Sequence, residues 1–209
     1  MGFYPLRAFL NATGEPLASL LRPGNAGSGT AADHVTVLDG ALAQLPVDPH
    51  AQEVIVRADS AGCSPAFLDP CGTQGVRFIV GHPFPEDLAA QVIGARGVRW
   101  IPALTAEGTA ERDMGEVAEF TARVDLTGWP PGSRVIVRRE IPHPGAQLRF
   151  TDVHGYRDQG CLTHLETPDI AFLEALYRGR GRCQGRIGFP QKSQDHDLVS
   201  AGMNPATGR

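Results

Sequence analysis

The apolar positions change period along the chain, and the changes divide it. "EVIVRADSAGCS" opens with Val54, Ile55 and Val56, a short buried-strand signature that stops at Arg57-Ala58-Asp59. "VRFIVGHP" (76–83) reads as a second strand, "EDLAAQVIGA" (86–95) as a helix and "VRWIPA" (98–103) as a third strand. Alternation of this kind predicts an α/β unit with a mainly parallel sheet. Upstream, "DHVTVLDGALAQLP" sets Val35, Leu38, Leu42 and Leu45 near helical spacing, with Asp33 as N-cap and Pro46 as the stop. "PAFLDPCGTQG" reads as a short helix and turn. Further on, "EFTARVDL", "SRVIVRREI", "AQLRFTDV" and "QGCLTHLE" read as four consecutive strands separated by turns such as "GWPPGS" and "HPGA". From Thr167, "TPDIAFLEALYRGRGRCQGRIG" reads as a helix capped by Asp169. After Gly188 the pattern fades, and the tail is expected to lack regular structure.

Composition narrows this picture. The 209 residues are 42% hydrophobic and 20% charged, a globular balance. Gly 25 and Pro 17 are about a fifth of the chain, so many turns and short elements are expected. The formal net charge of −4 excludes a surface that is basic throughout, and nucleic-acid binding would have to come from a local patch. Four cysteines without framework spacing fit a reduced chain. No apolar run approaches the ~20 residues that span a bilayer, and the N-terminus has no signal-peptide pattern. A cytoplasmic chain with no membrane partner is therefore expected.

Two features carry candidate chemistry. Asp59 follows a buried strand, and the C-terminal rim of parallel strands is where α/β sheets bind ligands. A turn-former or cap is the other reading of the same residue. Arg57, two residues earlier, shares its strand face and either orients that carboxylate or makes a structural ion pair. The second feature is a cluster of arginines. Arg178, Arg182 and Arg186 recur at i, i+4 and i+8 on one helix face, with Arg180 on another. Like charges so placed repel, so the stripe points either to an anionic partner such as phosphate or to a solvated face neutralised by nearby Glu. His34, next to Asp33, reads either as a supporting partner of a functional side chain or as part of a loop-to-helix cap, and Trp100 and Trp129 read as core residues. In "RPGNAGS", Asn25 is a turn residue and Arg22 a candidate DNA contact.

Several stretches together resemble insertion-sequence transposases of the DDE class. They are "GFYPLRAFL", "LASLLRPGNAGSGTAADHV", "VIVRADSAG", "VIVRREIPHPGAQLRF" and "LYRGRGRCQGRI", in order over roughly residues 2–188. The resemblance implies an α/β RNase-H-like fold, a mixed sheet with flanking helices and a β-rich insertion. It implies a core over 1–103 lacking its first strand, the insertion over 104–166, a C-terminal core helix over 167–188 and a disordered tail over 189–209. In such enzymes two Asp and one Glu hold two Mg²⁺ or Mn²⁺ ions ~4 Å apart for phosphoryl transfer.

The resemblance makes Asp59 the second acid and a metal ligand. The third-acid motif, like Tyr-x2-Arg-x3-Glu-x6-Lys, is met by Tyr177 and Arg180, but Gln184 stands where Glu is expected and Gln191 where Lys is expected. The strand carrying the first acid belongs upstream of "GFYPL", so a truncated copy is expected. Glutamine keeps the shape of glutamate without its charge, and Mg²⁺ sites rely on carboxylates. The implied function is binding of the inverted-repeat ends of an insertion sequence and metal-dependent strand cleavage and transfer, with this chain inactive on its own. The alternative is a non-enzymatic DNA-binding or interfering remnant. Implied partners are DNA and an intact transposase or upstream fragment. A missing inner strand is also expected to leave sheet edges open and the chain aggregation-prone.

Overall fold

The structure is a computed structural model. It describes residues 4–27, 30–83, 94–142 and 155–180, positions 88, 91 and 92, and the strand backbones at 152–153 and 198–203. The chain forms two compact units, residues 1–80 with 180–209, and residues 81–179.

In the first unit, β1 (Leu6–Leu10) and β2 (Pro16–Leu20) form an antiparallel hairpin. Its turn is closed by the Gly14 N–H donating to the Leu10 carbonyl at 2.7 Å. The helix α1 (Ala31–Leu42) is capped by Thr30 rather than Asp33. Thr30 Oγ1 accepts from the Asp33 N–H, and the Asp33 carboxylate accepts from the Thr30 N–H. That reciprocal capping box satisfies two of the orphan donors of the first turn. The buried stripe is His34, Val37, Leu38 and Ala41; of the residues that spacing suggested, Leu38 is buried and Val35, Leu42 and Leu45 are half-buried.

β3 (Val54–Ala58) is buried along its whole length and pairs in parallel with β4 (Val76–His82), Val54 opposite Val76 and Ala58 opposite Val80. Between them lies α2 (Pro65–Thr73), with Pro65 in the first turn, where its missing N–H costs nothing. The turn into β4 needs Gly75, whose φ is +71°. A Cβ there would also lie 2.7 Å from the His50 ring.

The strand β10 (Leu198–Met203) corrects the expectation of a tail without structure. It lies between β1 and β3, parallel to β1 and antiparallel to β3, giving the order β2-β1-β10-β3-β4. The facing edges of β1 and β3 are therefore paired, not open as expected.

The second unit is an antiparallel sheet, β9-β7-β6-β5, with α3 (Ile170–Arg178) packed against β5, β6 and β7. Its strands are β5 (Ile101–Leu104), β6 (Glu111–Glu119), β7 (Arg134–Glu140) and β9 (Tyr156–Thr163), and β8 (Asp152–Val153) pairs with β9. Two expectations are corrected. β5 pairs antiparallel with β6, so it does not continue a parallel sheet. The strand before β7 is "ERDMGEVAE"; "EFTARVDL" instead supplies the end of that strand, a 3₁₀ turn at Thr121–Arg123 and a loop. The helix expected over 86–95 and the strand beginning "AQLRF" lie largely outside the described residues. Ala103, Val117 and Ala171 are buried together, flanked by Ile101, Leu104 and Ile170, and fix α3 on the sheet. The fold class is as expected, a mixed α/β and partial RNase-H-like arrangement.

Candidate functional site

Asp59 sits where strand ends and loop begins. It is the N-cap of the 3₁₀ turn Ser60–Gly62, and its Oδ1 accepts from the Ala61 N–H at 2.9 Å. Gly62 permits this turn to fold back tightly, because a Cβ on it would come within 2.7 Å of the Ala58 Cβ. The carboxylate's Oδ2 faces Arg180, whose Nη1 lies 3.8 Å away. Both side chains are mostly buried, at 13% and 16% exposure. The structure shows Asp59 as the cap of this turn, with its other oxygen turned to Arg180. The arginine cluster itself supplies a countercharge to that oxygen.

The other members of that cluster divide. Tyr177 is buried. Arg178 ends α3, and its Nε donates to both oxygens of Glu174, at 2.8 and 2.9 Å. Its Nη2 donates to the Leu104 carbonyl. Arg178 is therefore held inside the second unit. Arg182, Gln184 and Arg186 lie outside the described residues.

Glu174, only 2% exposed, is the centre of a larger network that sequence reasoning does not single out. The Arg138 Nε lies 2.9 Å from its Oε1, and the Arg138 Nη2 donates to Gln159 at 2.7 Å. Arg138 also pairs with Glu140, which Arg112 reaches at 2.7 Å. Burial pushes the Glu174 carboxyl above its usual range, while Arg138, Arg178 and Arg112 pull it down. The i, i+4 spacing of Glu174 and Arg178 is the one signal of this network in the sequence.

Remaining candidates resolve into structure. His34 is buried, its Nδ1 is 2.9 Å from the Thr30 carbonyl and its ring lies against Phe67. Arg22 is 7% exposed, donates to the Gly27 carbonyl and lies 3.5 Å from Asp33, so it braces the loop before α1. Arg57 is buried in β3. Trp100 is half-buried, not a core residue; it packs on Phe120 and carries the Arg139 guanidinium 4.0 Å from its ring centroid. Cys63, Cys71 and Cys161 are free thiols. Burial pushes Cys63 and Cys71 up to about 12, too high for a thiolate near neutral pH.

Among the described residues, Asp59 is the one carboxylate identified at this strand end; one of its oxygens takes a backbone N–H and the other faces a guanidinium. Among the described residues, no three His, Cys, Asp or Glu side chains gather into a metal-holding group. These residues do not by themselves fit a pair of divalent ions, which needs several oxygen ligands.

The fold is a mixed α/β domain with a partial RNase-H-like arrangement. The chain belongs to the family "Transposase DDE domain group 1", whose model matches residues 1–202. Its function is thus transposase-related. The match runs past Gly188, where the resemblance was expected to end, and takes in nearly all of β10. No curated protein matches the chain. Among the described residues no helix is long and apolar enough to cross a membrane.

Proposed function

We propose that this chain takes part in DNA transposition by binding the inverted-repeat ends of an insertion sequence, and that on its own it does not cut them. The family match over residues 1–202 carries the first half of this reading. The Asp59–Arg180 pair supports the second half. A guanidinium already faces the one identified carboxylate, and the sequence has Gln184 at the position of the third acid. In the family, bound divalent ions would activate the attacking water or 3′-hydroxyl and stabilise the leaving oxygen. In this chain, Asp59 holds the 3₁₀ turn through Ala61 and meets Arg180. Its partners would be DNA and an intact transposase, with which it would assemble as a non-cutting subunit.

The test is fluorescence anisotropy with two labelled duplexes, one carrying the terminal repeats flanking this reading frame and one a scrambled sequence. Tighter binding to the repeats supports the reading. Equal binding to both contradicts end recognition.

A further inference from the structure

We propose that the second unit carries a phosphate-binding cleft for the DNA backbone, lined by Arg99 and Arg123 with Arg96 beside them. This rests on the DNA-binding reading above and locates a contact surface outside the arginine cluster of residues 178–186. A cleft of about 510 Å³ lies at the start of α3 and the end of β6, lined by Arg99, Arg123, Glu119, Val98, Ile101 and Ile170. That volume matches sites for small ligands or single nucleotides.

The charge balance of the cleft points to an anion. Arg96, Arg99 and Arg123 are exposed, and none has a carboxylate partner among the described residues. Arg123 is fixed rather than loose, because its Nη2 donates to the Arg96 carbonyl at 2.9 Å across 27 residues of sequence. The cleft's lining has one carboxylate, Glu119, and it is already answered. Arg134 Nε and Nη2 donate to its two oxygens at 3.0 and 2.9 Å. The cleft therefore presents unpaired guanidinium charge at its rim over a floor of Val98, Ile101 and Ile170. Guanidinium forks match phosphate oxygens, and an apolar floor suits the sugar face between successive phosphates. In an acidic chain, this is the local positive patch that binding a polyanion requires.

The experiment uses the whole chain and a 20-bp duplex of arbitrary sequence, titrated at several salt concentrations. The variants are Arg99→Glu/Arg123→Glu and the milder Arg99→Gln/Arg123→Gln, each checked by thermal melting. The expected result is a 10- to 100-fold loss of affinity at low salt in the glutamate pair. In the glutamine pair, the log–log salt slope should be shallower by about 2, since each phosphate contact contributes roughly 0.9. Wild-type affinity and slope in a glutamine pair that melts normally would overturn this site while leaving DNA binding intact. No binding by the wild-type chain at low salt would overturn both.

Discussion

The Arg180 guanidinium stands 3.8 Å from the Asp59 carboxylate, joining a residue just past a strand to one 121 positions later, just past a helix. In sequence, one reads as a metal ligand and the other as a DNA contact. Their pairing means that each already satisfies much of the other's electrostatic need. A pair of this separation contributes on the order of 0.5–1 kcal/mol net when partly solvated. A double-mutant cycle with Asp59→Asn and Arg180→Ala is expected to give a coupling of that size by urea unfolding. Zero coupling would mean the two side chains do not interact in solution.

The strand β10 closes the space between β1 and β3, so ending the chain at residue 196 would expose two strand edges at once. Each lost backbone hydrogen bond costs about 1 kcal/mol, and open edges template aggregation. The shortened chain is expected to lose its cooperative calorimetric transition and to scatter light at concentrations where the full chain does not. An unchanged transition would show that β10 contributes nothing to the sheet.

Glu174 and Arg138 are both buried, and removing Arg138 leaves Glu174 to Arg178 alone and Glu140 to Arg112 alone. Arg138→Ala is expected to destabilise the chain by roughly 3–5 kcal/mol, the usual cost of breaking a buried pair. Replacing the exposed Arg96 by Ala should change stability by less than about 0.5 kcal/mol. Chemical denaturation of both variants checks the contrast.

Glu119 provides a pH dependence. The hydrogen bonds from Arg134, against the opposing effect of burial and aided by Thr121, hold its carboxyl below the usual range. A lowered folded-state pKa contributes stability that is present above the unfolded value of about 4.3 and is lost as pH falls through the folded value. Glu119 is 37% exposed, so solvent screening keeps the contribution within about 1 kcal/mol. Glu119→Gln should therefore be less stable than wild type at about pH 6–7, and the gap should close toward about pH 3. A gap that widens in acid would contradict that sign.

Much of the fold is legible because apolar runs announce buried strands. Val54–Ala58, Val76–His82 and the strands around Ile136 and Leu162 lie where their β-branched and apolar residues place them. β6 is harder to place because "ERDMGEVAE" is polar over its first half. Pairing with β5 and β7 stabilises it as a strand, a contribution that propensity does not carry. β10 is hidden for a similar reason, since its pairing comes from two distant edges. Asp59 stands out from its place after a buried strand. At Arg178 the structure shows the neutralising Glu that the spacing left open, since Glu174, one turn back, takes this guanidinium. The cleft with Arg99 and Arg123 is invisible in sequence, since a loop and the 3₁₀ turn after β6 bring together Arg96 and Arg123, 27 positions apart.

The most direct test combines binding and cutting in one tube. The purified chain is mixed with labelled DNA carrying the ends of its own element, first with Mg²⁺ and then with Mn²⁺. Native gels report complexes and denaturing gels report strand breaks. The predicted result is a complex with intact strands under both metals. Metal-dependent nicks at the element ends that disappear in Asp59→Ala would contradict it, and would show that this chain completes a catalytic site around Asp59.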